Sequence, residues 1–568
     1  MVKPNTNRAD RQCAAIVIGF MALVAVLAGV SLGHVAFWDD EAYVAVTART
    51  LLSTGHLSYW DGRNIYLPRN GVGFAGTLTP SLPPLDVLLC AASFRCLGFS
   101  ETAARLPFVL LAVLTVPVFA SLVRRRFPST LAPLVYSLAA LCLSCAFLLN
   151  ARTCRYNMAA LFLATLTYWA YERATETMRA RWYVAFVAAS VGLFYASYLA
   201  CAAFLAALAL THLALRAKST SPREWAMQGA SALAIAALTV PYALSHSVFA
   251  FTYDGPRAPW LPEHLTLVWW NLRDMNLWNV LPWTAVLALI AIVTASRKTA
   301  EGHAFRGVVA MWALPLVAYT IFIGLLSPQQ TALTTIADIR YLVPALPLAA
   351  ALSGLVLWQA HRRSLVLGVG VTVLLLSTNV GTLLPSPFAG AAPFTNKARI
   401  LLPSYLAEVT HPYPTSTSEV VRLLRTEAKP NDTVVTVPDY FEPPIIAALG
   451  DRIRITGQLD RRTTPVPERL VRDLGAPLYR EETFPDWIIV YGSPLEAADV
   501  LDYYGRAHIE NGRWVRRQYT PYRRLSVYGG QGQRPELPWH RFGMETYDSI
   551  AAGVVVYKPL PPIPVKDR

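Results

Sequence analysis

Three consecutive acids, Asp39, Asp40 and Glu41, stand in the stretch "FWDDEAYVAVTARTLLSTGHLSYWDG", just past the first apolar run. From Glu41 to Leu52 the pattern is helical, which puts Asp39 and Asp40 in the cap and first turn, where a helix N-terminus favours negative charge. Capping accounts for one acid. Three in a row beside a bilayer are costly and call for a function. Two further clusters bring positive charge. "NARTCRYN" at 150–157 sets Arg152 and Arg155 three apart at a helix start, so both can point the same way. "ADIRYLVPALP" at 337–347 places Asp338, Arg340 and Tyr341 at another. Snorkelling explains arginines at a membrane surface in general, but these lie on the side otherwise poor in basic residues. Carboxylates act as general bases and arginines hold phosphate through forked hydrogen bonds. Chemistry on a phosphorylated lipid suits that set. Nucleotide donors are not at hand outside a cell, so no nucleotide cofactor is expected.

The elements that must position these residues are membrane helices. Of 568 residues 54% are apolar and only 15% charged, with a mean hydropathy of +0.36; a soluble chain carries about a quarter charged residues. Apolar runs near twenty residues mark spans, here at 13–33, 104–123, 129–149, 157–172, 182–197, 199–215, 226–245, 276–296, 307–326, 341–360 and 364–383. The expectation is a polytopic α-helical membrane protein of about eleven spans, the run 182–215 being split at Tyr195–Tyr198. The first run has no clean small-residue cleavage site after it, so it reads as a retained helix rather than a signal peptide.

Arg124, Arg125 and Arg126, then Arg173, Arg179 and Arg181, then Arg362 and Arg363 all fall on one side when the N-terminus is inside. The positive-inside rule therefore fixes that orientation. An odd number of spans exports the C-terminal part. The expected organisation is a transmembrane domain over 1–383, with a long first outer loop at 34–103, and a soluble extracytoplasmic α/β domain over 384–568. The net charge of +14 belongs to the membrane part: 27 Lys and Arg face 15 acids in 1–383, against 23 and 21 beyond it. No basic stripe with interleaved aromatics occurs on the soluble part, so nucleic acid is not a partner.

In the exported part, β-branched runs at 433–437, 452–456, 487–491 and 553–557 alternate with helical stretches at 417–428 and 495–504. Thr417 or Ser418 is a candidate cap for the first of these helices. There is neither a Gly-rich phosphate loop nor a nucleophile elbow, so this part should cover or shape a site that lies elsewhere. None of the seven cysteines falls there; Cys142 and Cys145 form a lone C-x-x-C in an apolar helix and read as packing. In the first loop, Pro83-Pro84 begins an apolar stretch too short for a secure span, which suits a helix lying in the interface.

Five pieces in order resemble the GT-C superfamily of membrane glycosyltransferases, in particular the bacterial aminoarabinose lipid A transferases and the protein O-mannosyltransferases. They are Asp40-Glu41 with Tyr43 and "ARTLLSTG", "PPL" at 83–85, "GFSETAARLP" at 98–107, "ARTCRYNMAALFL" at 151–163 and "DIRYLVPALP" at 338–347. The resemblance covers roughly the first 350 residues. It implies transfer of a sugar from a polyprenyl-phosphate carrier to an acceptor on the outer side of the bacterial cytoplasmic (inner) membrane. The acceptor would be a cell-envelope glycan or glycolipid such as lipopolysaccharide. It implies Asp40 as the catalytic carboxylate with Glu41 beside it, and Asp39, Arg152, Arg155, Tyr156, Arg340 and Tyr341 as donor- or acceptor-binding residues. Some relatives use a divalent metal cation near the donor phosphate; Asp39, Asp40 and Asp338 could hold one only if the fold gathers them. One position departs: the lipid A transferases usually carry Lys directly before the two prolines, and here it is Leu82. Protein O-glycosylation by the same chemistry is the near alternative. A lipid-linked sugar transporter or flippase is the distant one, because such proteins place ionisable residues near the midplane in matching halves.

Overall fold

The computed structural model describes residues 6–66, 83–246, 260–277, 280–296, 300–329, 331, 339–382, 400–410, 415–437, 441–455, 484–491, 494–506, 508–510, 513–525 and 554–564. Helix α1 (Thr6–Gly29) leads to α2 (Asp39–Thr54) and α3 (Leu85–Leu97), both within the first loop. Helices α4 (Glu101–Arg126), α5 (Ala132–Cys142), α6 (Cys145–Ala151), α7 (Tyr156–Thr177), α8 (Ala180–Ala196), α9 (Tyr198–Leu215) and α10 (Pro222–Ser245) follow. The bundle is completed by α11 (Trp260–Leu277), α12 (Trp283–Ala295), α13 (Ala300–Leu326), α14 (Leu346–Arg363) and α15 (Leu365–Ser377). A 3-10 turn at Ile339–Ala345 leads into α14.

Each expected apolar run is helical over most of its length, and the long run does divide at Ser197, whose hydroxyl caps α9 by accepting from the Ala200 N–H. The count of eleven spans is not met by length. Among the described residues six helices are long and apolar enough to cross a membrane, or seven if α5 and α6 form one broken span. Helices α8, α12 and α15 are apolar but shorter. The run 129–149 is not one helix: Ser144 adopts an extended conformation and the two halves meet at a bend of 57°. Cys142 and Cys145 lie on either side of that break, buried as free thiols. Close packing of α14 on α5 depends on Gly354, where a Cβ would lie 2.5 Å from the Ser137 Cα.

Helix α3 presents Asp86, Val87, Cys90, Ala91 and Phe94 to the protein and leaves Leu88 and Leu97 exposed, a half-buried helix as the interrupted apolar stretch suggests. Helix α4 is capped by the Ser100 side chain and carries Arg105 near its start, a cation buried in the protein.

Beyond the bundle come α16 (Leu401–Thr410), α17 (Ser416–Glu427), α18 (Glu442–Leu449) and α19 (Pro494–Tyr504). The strands are β1 (Thr433–Val437), β2 (Arg454–Ile455), β3 (Trp487–Tyr491), β4 (His508–Glu510), β5 (Arg513–Arg516), β6 (Tyr519–Leu525), β7 (Val554–Pro559) and β8 (Ile563–Pro564). Five of them form a mixed sheet in the order β2-β1-β3-β7-β6, with β1 parallel to both neighbours and β7 antiparallel to β3 and β6. Strands β1 and β3 are buried almost throughout, which is why "TVVTV" and "WIIVY" read as continuous apolar runs rather than alternating ones. Val420 and Leu424 of α17 and Ile445 of α18 share a core with Val434, Ile489 and Val556. The cap of α17 is Thr415, not Thr417 or Ser418; Ser418 instead returns the bond to the Thr415 N–H and completes a capping box.

The first loop is docked against this α/β unit by polar bonds to its backbone. Arg49 donates to the carbonyls of Ile446 (3.0 Å) and Ala447 (3.1 Å) at the end of α18. Arg63 donates to the Asp451 carbonyl at 2.6 Å. Asn64 donates to the Gly450 carbonyl (3.1 Å) and accepts from the Ile455 N–H (2.9 Å), making a two-sided clamp on the turn into β2. Asn64 is buried, so Asn64→Ala strands two backbone groups at a cost of about 1–3 kcal/mol each. Limited proteolysis of the purified full chain should then release the C-terminal unit faster than in wild type, with the bundle fragment intact. An unchanged cleavage rate would show that docking is carried elsewhere.

Candidate active site

Three helix starts converge on Asp40. Helix α2 begins at Asp39, with Trp38 as its flanking residue, so Asp40 stands in the first turn as its acidic run predicts. Arg155 is the residue preceding α7, and Arg340 lies in the 3-10 turn before α14. Oδ2 of Asp40 takes an ion pair from Arg155 and another from Arg340 at 2.5 Å. The sequence separations are 115 and 300 residues, so this meeting is a tertiary event. The Asp40 side chain is 26% exposed and those of Arg155 and Arg340 are 12% and 16%, so the cluster is largely buried and reaches the surface mainly at Asp40. The Arg155 guanidinium lies over two aromatic rings, 5.1 Å from that of Tyr156 and 5.7 Å from that of Trp38. Tyr341 is held from its backbone: its carbonyl accepts from the Tyr319 hydroxyl at 2.5 Å. Asp39 shares the first turn and is half-buried, but lies about 100° round the helix from Asp40.

Two expected site residues are placed elsewhere. Glu41, expected beside Asp40 as a second catalytic carboxylate, is fully buried and belongs to the frame. Arg105 donates to it in a fork, Nε to Oε1 at 2.9 Å and Nη2 to Oε2 at 2.6 Å, and the Cys154 N–H adds a third bond at 2.9 Å. Consecutive helical residues point in different directions, so Glu41 turns inward where Asp40 turns to the opening. Arg152 does not join Arg155 at Asp40. It donates to the carbonyls of Ala28 (2.8 Å), Val30 (2.6 Å) and Ser31 (3.1 Å), in the last turn of α1 and the turn that follows it. The two arginines sit on either side of the turn between α6 and α7, not on one helix face, which is why a spacing of three did not align them.

Asp338 lies outside the described residues, as does Leu82. Among the described residues no three His, Cys, Asp or Glu side chains gather where they could hold a metal ion. Two guanidiniums on the Asp40 carboxylate would also repel a cation there.

Reading the sequence missed Asp86. It is 5% exposed, and burial pushes its carboxyl up to about 7. Its side chain accepts from the Val87 N–H at 2.9 Å, and no cation pairs with it among the described residues. Arg105 was missed as well, although a basic residue at the helix end expected to face outward is itself a signal against the positive-inside rule.

The family described as dolichyl-phosphate-mannose-protein mannosyltransferase matches this chain over residues 81–243. No protein of curated function matches it in sequence. In structure it is similar to ArnT from Cupriavidus metallidurans bound to undecaprenyl phosphate, with a TM-score of 0.55 and 15% identity over 87% of this chain and 95% of that one. The apo form of the same ArnT gives 0.54 and 15% over 87% and 96%. The chain thus has the GT-C fold that its motif order resembles.

Two outcomes follow from this geometry. Arg105→Leu leaves Glu41 buried without its partner, a loss of about 3–5 kcal/mol, so the variant should give little folded protein in detergent by size-exclusion chromatography, whereas Asp40→Asn should behave as wild type. Equal yields of the two would remove the framing role of the pair. For Asp86 the folded carboxyl holds its proton up to about pH 7 while the unfolded one loses it near 4. Stability is therefore greatest at acid pH from this group and falls as pH rises between those values. Asp86→Asn should raise the melting temperature at pH 8 and change it little at pH 4; the reverse order would refute the burial argument.

Proposed function

We propose that this chain is an integral-membrane glycosyltransferase that moves a sugar from a polyprenyl-phosphate carrier to an acceptor on the outer side of the membrane. The observation that carries the reading is Asp40 held between Arg155 and Arg340 at the meeting of three helix starts. A carboxylate for the acceptor proton and guanidiniums for a phosphate stand together there, on a fold shared with a protein crystallised with undecaprenyl phosphate.

The acceptor hydroxyl attacks the anomeric carbon as the bond from that carbon to the phosphate oxygen breaks. Asp40 takes the hydroxyl proton, and the polyprenyl phosphate leaves with the bonding electron pair, its charge met by Arg155 and Arg340. Attack on the face opposite the leaving group inverts the anomeric centre. In the free protein the two guanidiniums neutralise Asp40. A donor phosphate draws them toward itself and releases the carboxylate to act as base, so the base becomes competent when the donor is in place. Trp38 and Tyr156 keep the Arg155 head group on its track during that exchange. Glu41 and Arg152 act as positioning residues.

A cell-envelope glycan or glycolipid is the acceptor class proposed first, with the membrane orientation set by the basic loops and the C-terminal unit outside. A protein acceptor is the second reading, favoured by the family that matches residues 81–243.

The test uses purified full-length protein in lipid nanodiscs with undecaprenyl-phosphate glycosides and envelope-derived acceptors. Asp40→Asn should abolish transfer, and Asp40→Glu, which displaces the oxygens by about 1 Å, should lose on the order of a hundredfold. Arg155→Ala and Arg340→Ala should each cost about 2–4 kcal/mol of transition-state stabilisation. Near-normal turnover in Asp40→Asn would sink the assignment of the base.

A further inference from the structure

At the end of the bundle away from Asp40, three arginines stand without a carboxylate. Arg173 lies about 26 Å along α7 from Tyr156, at the far end of the helix that Arg155 precedes. The level is set by α4, which is long and apolar enough to cross a membrane and ends in Arg124, Arg125 and Arg126. Two contacts tie α7 to that end. Arg126 pairs with the buried Glu172 at 2.5 Å, and the Trp169 Nε1–H donates to the Ser121 hydroxyl at 3.0 Å. Arg125 pairs with Glu176, the acid one turn further on. Arg173, Arg179 and Arg181 are left with no acidic partner among the described residues.

Two of them meet over one indole. The guanidiniums of Arg173, from α7, and Arg181, from the first turn of α8, each lie 5.0 Å from the centre of the Trp182 ring. Trp182 is itself fixed edge-on against Trp169, 4.9 Å away. Met178 takes a left-handed φ of 54° and turns the chain between the two helices, and Arg179 immediately precedes α8, whose start no side chain caps. The side chains of Arg173, Arg179, Arg181 and Trp182 are donors only. Arg173 Nε and Trp182 Nε1 are buried, and neither has an acceptor. Two guanidiniums held at one ring repel each other, and buried donors without an acceptor add to the cost. An anion relieves both.

We infer that Arg173, Arg179, Arg181 and Trp182 form a binding site for the phosphate headgroup of an anionic phospholipid, in the leaflet at the basic end of the bundle. The surface of α8 indicates a lipid rather than a free anion. Arg181, Val184 and Ala188 share one helix face and all three are exposed, Val184 at 68%. Charge therefore gives way to apolar surface one turn deeper, the profile of a headgroup and its acyl chain. Guanidiniums match phosphate through forked hydrogen bonds, and basic pockets between membrane helices hold acidic headgroups. The site lies at the opposite end of α7 from the Asp40 cluster and stands apart from the proposed transfer reaction.

The test titrates full-length protein in detergent with phosphatidylglycerol or phosphatidylcholine of matched acyl chains and reads the lipid-bound fraction by native mass spectrometry. Wild type should retain phosphatidylglycerol in preference. Arg173→Gln and Arg181→Gln should each lower that preference by about fivefold, the worth of one basic side chain beside an anionic headgroup. Arg181 is exposed, so Arg181→Gln carries the test if Arg173→Gln folds poorly. Arg362→Gln is the control, because Arg362 lies over a different indole, 5.4 Å from the Trp358 ring, in the basic last turn of α14. It should leave the preference unchanged; a fall equal to that of the other two variants would show diffuse attraction to a basic surface and overturn the site. Inorganic phosphate and glycerol 3-phosphate, added as competitors, should not displace the lipid, and displacement would overturn the lipid assignment in favour of a free anion. Equal retention of the two lipids by wild type would overturn the proposal outright.

Discussion

The buried pair of Glu41 and Arg105 is the interaction on which the candidate site depends. Two charges taken out of water repay their desolvation only when every remaining donor and acceptor is satisfied. Here Arg105 also donates to the carbonyls of Leu32 and Val35, and Glu41 receives the Cys154 N–H. One pair therefore ties four pieces of chain: the exit from α1, the start of α2, the start of α4 and the turn before α7. Asp40 is the neighbour of Glu41 and Arg155 the neighbour of Cys154. A hydrogen bond between the inward members of those two couples fixes the separation of the outward members, which are the ones placed for chemistry.

That frame also explains how two arginines come to stand at helix starts. A helix N-terminus carries partial positive charge and disfavours cations. Arg155 and Arg340 are held there against that field by the Asp40 carboxylate, and for Arg155 by the faces of Trp38 and Tyr156. Two positive side chains and two helix starts around one carboxylate make a place that a phosphate would complete. The same electrostatics opposes a divalent cation at Asp40.

Helix α2 is anchored at both ends. Its first turn faces the arginines, and Arg49 near its other end satisfies the last carbonyls of α18. The α/β unit is thereby coupled to the helix that carries Asp40, although no residue of that unit pairs with Asp40 among the described contacts. Its contribution lies in holding the first loop in register, with Arg63 and Asn64 gripping the turn into β2.

The apolar runs, the helical start at Asp39, the division at Ser197 and the buried strands β1 and β3 were all legible in the sequence, because each is set by local periodicity or by the chemistry of a few adjacent residues. So was the grouping of Asp40, Arg155 and Arg340 as residues in need of partners, since three adjacent acids exceed what one helix cap uses and arginines on the side otherwise poor in basic residues stand against the positive-inside rule. Their pairing was not, and neither were the separate fates of Asp40 and Glu41 or of Arg152 and Arg155. Adjacent residues on a helix, and residues on either side of a turn, have equal claims by composition. Which one faces the opening and which one is consumed by the frame depends on helix rotation and on the direction of a turn, and both are set by the packing of α1, α4 and α7 around them. The lengths of the membrane helices were likewise a tertiary matter: Ser144 bends one span and neighbouring turns shorten others, and nothing in the hydropathy of those runs marks where the backbone leaves the helix.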